Sequence, residues 1–210
     1  MTSQGRLFLD DEGYADLRTF VSRARGLDDE GAVRLQAEGT VLAAYVGVLP
    51  GRGLLGDGAV VGLRTMRLAE PAAVDVTVPL VAVADRLARE VRAGLELPPV
   101  VVATPWAAMT PPRGGWEPVG SLEAAMLVDA ARAGIAEVAR GASAGSGGAA
   151  VADLRHRVWS RLIETDPPVP TGAAFAAYTL GFLEPAGRCA VVAHGRWTRL
   201  SSPQGHVLVR

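Results

Sequence analysis

Six of the chain's 14 prolines fall between residues 98 and 119: Pro98, Pro99, Pro105, Pro111, Pro112 and Pro118. Proline fixes φ and removes a backbone donor, so no helix and no central strand runs through such a stretch. The segment therefore reads as an extended strap, with Val100–Val102 a short strand within it, and it parts the chain into two halves. The expected organisation is an N-terminal α+β unit over 1–97, a Pro/Trp-rich strap over 98–120, and a C-terminal helical unit with a β-meander over 121–210. At 210 residues the chain has length enough to bury a core without disulfide or metal staples.

Residues 6–93 predict strand, helix, four strands, helix. Leu7 and Leu9 alternate with polar neighbours. Asp10, Asp11 and Glu12 then signal a helix start, and Leu17, Phe20, Val21 and Ala24 put four apolar groups on one helix face. Val33–Ala37 and Thr40–Leu49 read as two strands joined by a tight turn at Glu38-Gly39. After a glycine-rich break over 51–58, Val60–Leu68 and Val74–Val78 have strand composition. Pro79 suits a helix first turn, followed by a stripe of Leu80, Ala84, Leu87 and Val91.

Past the strap, an alanine-rich helix is expected over about Ser121–Arg140, followed by a flexible Gly/Ala/Ser connector over 141–148. A second helix carries Leu154, Val158 and Leu162. A third begins at Pro170, carries Ala174, Phe175, Tyr178 and Phe182, and ends on Gly181 as a left-handed cap. Three short strands close the chain: Cys189–Ala193, Trp197–Leu200 and His206–Val209. The fold class is α+β, and three helices before a small antiparallel meander make the C-terminal half winged-helix-like.

The run Pro170…Tyr178-Thr-Leu-Gly181-Phe182-Leu183, then Gly195-Arg196-Trp197-Thr-Arg199-Leu200 and the terminal Gly205-His-Val-Leu-Val, resembles an uncharacterised family of high-GC actinobacterial proteins. That family has no established activity, so the resemblance implies ancestry and compartment and assigns no functional residue.

Composition narrows the function. The chain is 49% hydrophobic and 20% charged, with a mean hydropathy of +0.22, which excludes a charged disordered tail. Its net charge of −1 gives no general pull toward phosphate backbones or anionic lipid. All 21 basic residues are arginine and neither Lys nor Asn occurs, a signature of GC-rich codons rather than of selected anion recognition. The lone Cys189 fits a reducing compartment, and the start of the chain lacks a signal-peptide core, so a cytoplasmic protein is expected. Uncharged stretches are too short and too rich in proline to span a membrane.

Three motifs with chemical potential have plainer readings. Gly51-Arg-Gly53-Leu-Leu-Gly56 has the letters of a dinucleotide fingerprint, with Asp75 where a ribose-binding acid would stand. A strand rather than a helix follows, so no helix N-terminus faces a phosphate, and a mobile loop is preferred. Gly141-Ala-Ser143-Ala-Gly145 matches a nucleophile elbow, and Asp153 or Asp166 with His194 or His206 completes the chain order of a serine hydrolase. The elbow needs a strand entering it, whereas the residues before Ser143 are helical in composition, so a linker is preferred. His156, His194, His206 and Cys189 lack metal-ligand spacing, and His156 between Arg155 and Arg157 reads as a solvated helix face. No cofactor, metal or catalytic residue is assigned.

Recognition residues are more promising. Residues 151–210 carry seven arginines against four acids, while residues 1–118 carry 12 against 15. Arg196, Trp197 and Arg199 would give the C-terminal hairpin a weak positive patch. The helix after Pro170 offers only Thr171, Tyr178 and Thr179 to read bases, so DNA binding is not favoured over a buried helix. Trp106 and Trp116 on the strap, with Arg113 between them, serve either as anchors for a partner or as packing inserted between the halves. The contact candidates are thus Trp106, Arg113, Trp116, Arg196, Trp197 and Arg199. The function expected is that of a non-catalytic cytoplasmic interaction or regulatory protein, self-associating or bound to a protein partner. A DNA-binding regulator and a hydrolase using Ser143 are the alternatives.

Overall fold

The computed structural model describes residues 5–53, 56–89, 94–142 and 147–210, which divide into two compact units. The first comprises Met1–Pro50 and Val61–Thr110, the second Gly51–Val60 and Pro111–Arg210. The class is α+β: helices and antiparallel strands both contribute, as the periodicities imply.

In the first unit, β1 (Arg6–Leu7) precedes α1 (Asp11–Leu27). Asp10 caps the helix, its carboxylate accepting the Gly13 N–H at 2.8 Å, and Asp11 and Glu12 complement the positive end of the helix dipole. Leu17, Phe20, Val21 and Ala24 are all buried, as their spacing requires. Two long strands follow, β2 (Ala32–Leu49) and β3 (Val60–Pro79), lying side by side. Then come α2 (Leu80–Leu87), which packs on α1, and β4 (Leu95–Glu96), which pairs antiparallel with β1.

The four strands expected between the helices are therefore two. At Glu38-Gly39 the backbone does not reverse. Gly39 takes a left-handed φ of 59° inside β2, and the burial phase switches there: Val33, Leu35 and Ala37 are buried before it, Leu42, Ala44 and Val46 after it. One left-handed glycine shifting the pleat by one residue is the behaviour of a β-bulge. In β3 the composition gap over 69–73 is an exposed stretch of the same strand. Helix α2 buries Leu80, Val83 and Leu87 rather than Ala84, and Val91 lies outside the described residues. Val100–Val102 forms no strand, although the Val102 N–H donates to Thr77 O at 2.9 Å. The strap instead makes a 3-10 turn at Pro105–Ala108.

The second unit begins its sheet earlier than expected, with β5 (Glu117–Glu123). Then follow α3 (Ala124–Gly141), α4 (Gly148–Ser160) and α5 (Thr171–Thr179). The meander β6 (Arg188–His194), β7 (Trp197–Ser202) and β8 (Gly205–Val209) closes the chain. Strand β5 pairs with β6, so the local order is β5, β6, β7, β8, antiparallel throughout. The glycine segment joins β8 on its far side: Gly58 N–H donates to Arg210 O and Arg210 N–H to Ala59 O. A strand before the helices and a third helix whose residues Thr171–Ala177 are all buried leave the winged-helix resemblance without support. Gly181 does take the left-handed conformation after α5, at φ 69°. Trp159 stacks on Phe175 with ring centres 4.3 Å apart, and Gly134 of α3 admits the edge of the Trp159 ring. No helix among the described residues is long and apolar enough to cross a membrane.

Candidate functional site

Pairing register decides what the second unit presents. His194 lies opposite Trp197, Val192 opposite Arg199, Arg199 opposite Leu208, and Ser201 opposite His206. Since side chains alternate across a strand, His194, Trp197, Arg199, Ser201 and His206 share one face. The other face carries Cys189, Val191, Leu200 and Val207, all buried, with α5 packed against β8. Burial without a compensating partner raises the Cys189 thiol above its ordinary range.

The shared polar face is held together by its own members. The Arg199 guanidinium lies 4.5 Å from the centre of the Trp116 ring, and Trp116 meets His194 edge-on at 6.0 Å. The Trp116 indole N–H donates to Pro112 O at 3.1 Å, which fixes the end of the strap segment over the sheet. His194 Nδ1 lies 2.7 Å from Gly115 O; a carbonyl only accepts, so Nδ1 carries the proton. Arg199 Nε is buried without a hydrogen-bond partner, and desolvation lowers its pKa. Farther along, the Arg210 guanidinium sits 5.6 Å from the centre of Trp197, and His206 Nδ1 lies 3.0 Å from Ser201 Oγ. Toward the edge, Arg188 donates to Ser121 and pairs with Glu123.

Of the six contact candidates, the structure brings together Trp116 and Arg199. Trp197 is 7% exposed, so its indole is covered on this face rather than open to a partner. Arg196 stands exposed in the β6–β7 turn, 3.9 Å from Asp57, and Arg113 is exposed. Trp106 belongs to the first unit, where its pyrrole edge rests on Gly47 so closely that a Cβ there would come within 2.5 Å. His194 and Arg210 were missed as members of these clusters. The signal available was strand alternation, which sets His194 and Arg199 on one face once the β6–β7 turn is placed.

The other motifs resolve locally. Arg52 and Asp57 exchange backbone hydrogen bonds at 2.9 and 3.0 Å, and β3 rather than a helix follows; Leu54 and Leu55 of the glycine motif lie outside the described residues. Ser143 lies outside the described residues, and Asp153 meets Arg52 at 3.4 Å. His156 is half-buried on α4. Among the described residues no three His, Cys, Asp or Glu side chains gather to hold a metal ion.

Residues 1–108, just over half of the chain, match a family described as domain of unknown function (DUF8010). The chain belongs to that family. Residues 111–210 match a second, domain of unknown function (DUF8185), so the two matches meet within the strap. Together they bear out the resemblance to an uncharacterised family. No curated protein matches the chain. Among solved structures the chain is similar to a DNA polymerase sliding clamp from Pseudomonas aeruginosa, solved with ligand, at 14% identity and a TM-score of 0.47. The likeness covers 94% of this chain and 62% of the clamp chain, so the chain spans under two thirds of that protein's length.

Proposed function

We propose that this is a non-catalytic interaction protein of a reducing compartment, which associates through the polar face of its C-terminal sheet, first of all with a second copy of itself. The observation carrying the reading is the Trp116–Arg199 stack on that face. Tryptophan and arginine dominate binding hot spots because each offers a large, stiff contact area with donors at its rim. Here the two fix one another, so a partner meets a surface whose ordering cost is already met. The adjoining edge bears Glu123 and Arg188, both more than half exposed as side chains. A two-fold axis through this face lets each copy's arginine meet the other's carboxylate, as an isologous contact requires.

Light scattering over a wide concentration series tests it. A dimer that dissociates in Arg199→Ala and in Arg188→Glu, and returns in the Arg188→Glu, Glu123→Arg double variant, supports the reading. A particle of monomer mass throughout overturns self-association. The nucleic-acid alternative is read in parallel by anisotropy of a labelled duplex. Binding that falls steeply with salt and vanishes on Arg196→Ala with Arg199→Ala would replace the present reading.

A further inference from the structure

The first unit contains a pocket of about 270 Å³ where the C-terminal end of α1, the 28–31 loop and the start of α2 meet the strap. One wall is the half-buried Trp106 indole, braced on Gly47. Apolar lining comes from Leu27, Val46, Pro79 and Pro105, and the charged groups that line it are two carboxylates, Asp28 and Glu30. No arginine lines it among the described residues. Asp28 Oδ1 accepts the Glu30 backbone N–H at 3.2 Å, which holds the loop that carries both acids. Thr104 Oγ1 is buried in the wall without a hydrogen-bond partner.

An indole beside two carboxylates, with apolar surface around them, is a combination that selects for positive charge on an apolar body. The ring quadrupole and the acids attract the cation, the prolines and Leu27 take its stem, and an anion is repelled. The geometry points to a binding site for a small organic cation, an ammonium or guanidinium on a short apolar stem, with Trp106 as its aromatic wall and Asp28 and Glu30 as its counter-charges. Such a head comes either from a free amine or from a lysine or arginine side chain. This site is separate from the sheet face proposed above and does not depend on it.

The test follows the Trp106 indole N–H resonance by NMR in the full chain, assigned with Trp106→Leu, during titration with choline and with its uncharged tert-butyl analogue. Choline is expected to shift that resonance at lower concentration than the analogue. Glu30→Gln and Asp28→Asn, the latter keeping the loop's Oδ1 acceptor, are expected to weaken it several-fold, and Trp106→Leu, followed through the backbone amide of the lining residue Gly31, by roughly two- to thirtyfold. The variants' amide spectra, otherwise superimposable on wild type, separate lost binding from lost folding. Ethylguanidinium and an end-blocked tripeptide with central arginine distinguish the two sources: tighter binding of the tripeptide assigns the cation to a protein segment, equal binding to a free amine. Equal response to choline and its uncharged analogue, or no response to any cation, overturns the assignment.

Discussion

The Arg199 guanidinium stacks on the Trp116 ring at 4.5 Å while its Nε, buried, finds no hydrogen-bond acceptor. The ring thus supplies the attraction that a carboxylate would otherwise supply. Trp116→Leu keeps apolar bulk and removes the quadrupole, and is expected to lower stability by about 1 kcal/mol. Arg199→Lys keeps the charge without the planar stack and should fall between. Urea-unfolding midpoints measure both, and an unchanged midpoint in Trp116→Leu would remove the stack from the account of this face.

Two helical glycines should respond to alanine with opposite signs. At Gly134 an added Cβ would overlap the edge of the Trp159 ring, which is stacked on Phe175, so Gly134→Ala should cost about 1–3 kcal/mol by overpacking. At Gly26 in α1 nothing lies within 4 Å, and Gly26→Ala should gain up to about 1 kcal/mol of helix propensity. Thermal unfolding of the two variants compares them directly.

Arg161 holds Glu137 through two hydrogen bonds of 3.0 Å, and this pairing keeps the Glu137 carboxyl below the usual carboxylate range. The unfolded chain therefore binds more protons across that interval. The contribution is complete above the unfolded-state carboxylate pKa and is lost as pH falls through the folded value. Both groups face solvent, so the effect is small and screened by salt. Arg161→Met should lower stability slightly near neutrality and converge with wild type in acid, as read from unfolding midpoints against pH.

Cys189 is 2% exposed and burial raises its thiol, so the reactive thiolate is scarce and shielded. Ellman's reagent should leave the native protein unmodified and titrate one thiol after denaturation. Fast reaction of the native chain would place Cys189 on an accessible surface instead.

What could be read directly from the residues was local. The α1 stripe, the cap at Gly181 and the three closing strands follow from periods of 3.6 and 2 and from single turn residues. Strand β5 escaped notice because Pro118 and Gly120 are strand breakers in a central position; as an edge strand with its irregularity between those residues, β5 tolerates both. The Trp116 cluster was half legible. Trp116 and Arg199 were candidates for contact, His194 was not, and the strap and β7 stand far apart in the chain, so that only the pairing of β5 with β6 and β6 with β7 brings them together. The Trp106 pocket was not legible, because Gly47 and Thr104 carry no signal of their own until the strap is laid over β2.

The left-handed Gly39 has a consequence for how β2 can change over evolutionary time. Upstream of it the core-facing positions are odd-numbered, downstream even-numbered, so losing a single residue beside the bulge, with the bulge itself kept, would present Ala43 and Tyr45 to the interior and turn Leu42, Ala44 and Val46 outward. While the bulge is kept, gains and losses at this bend are tolerable only two residues at a time; a single loss is tolerable where the extra residue itself goes and plain alternation returns. The bend behaves as a phase lock between the two halves of one strand, and relatives of this chain that keep the left-handed glycine should differ there by even numbers, those without it by one.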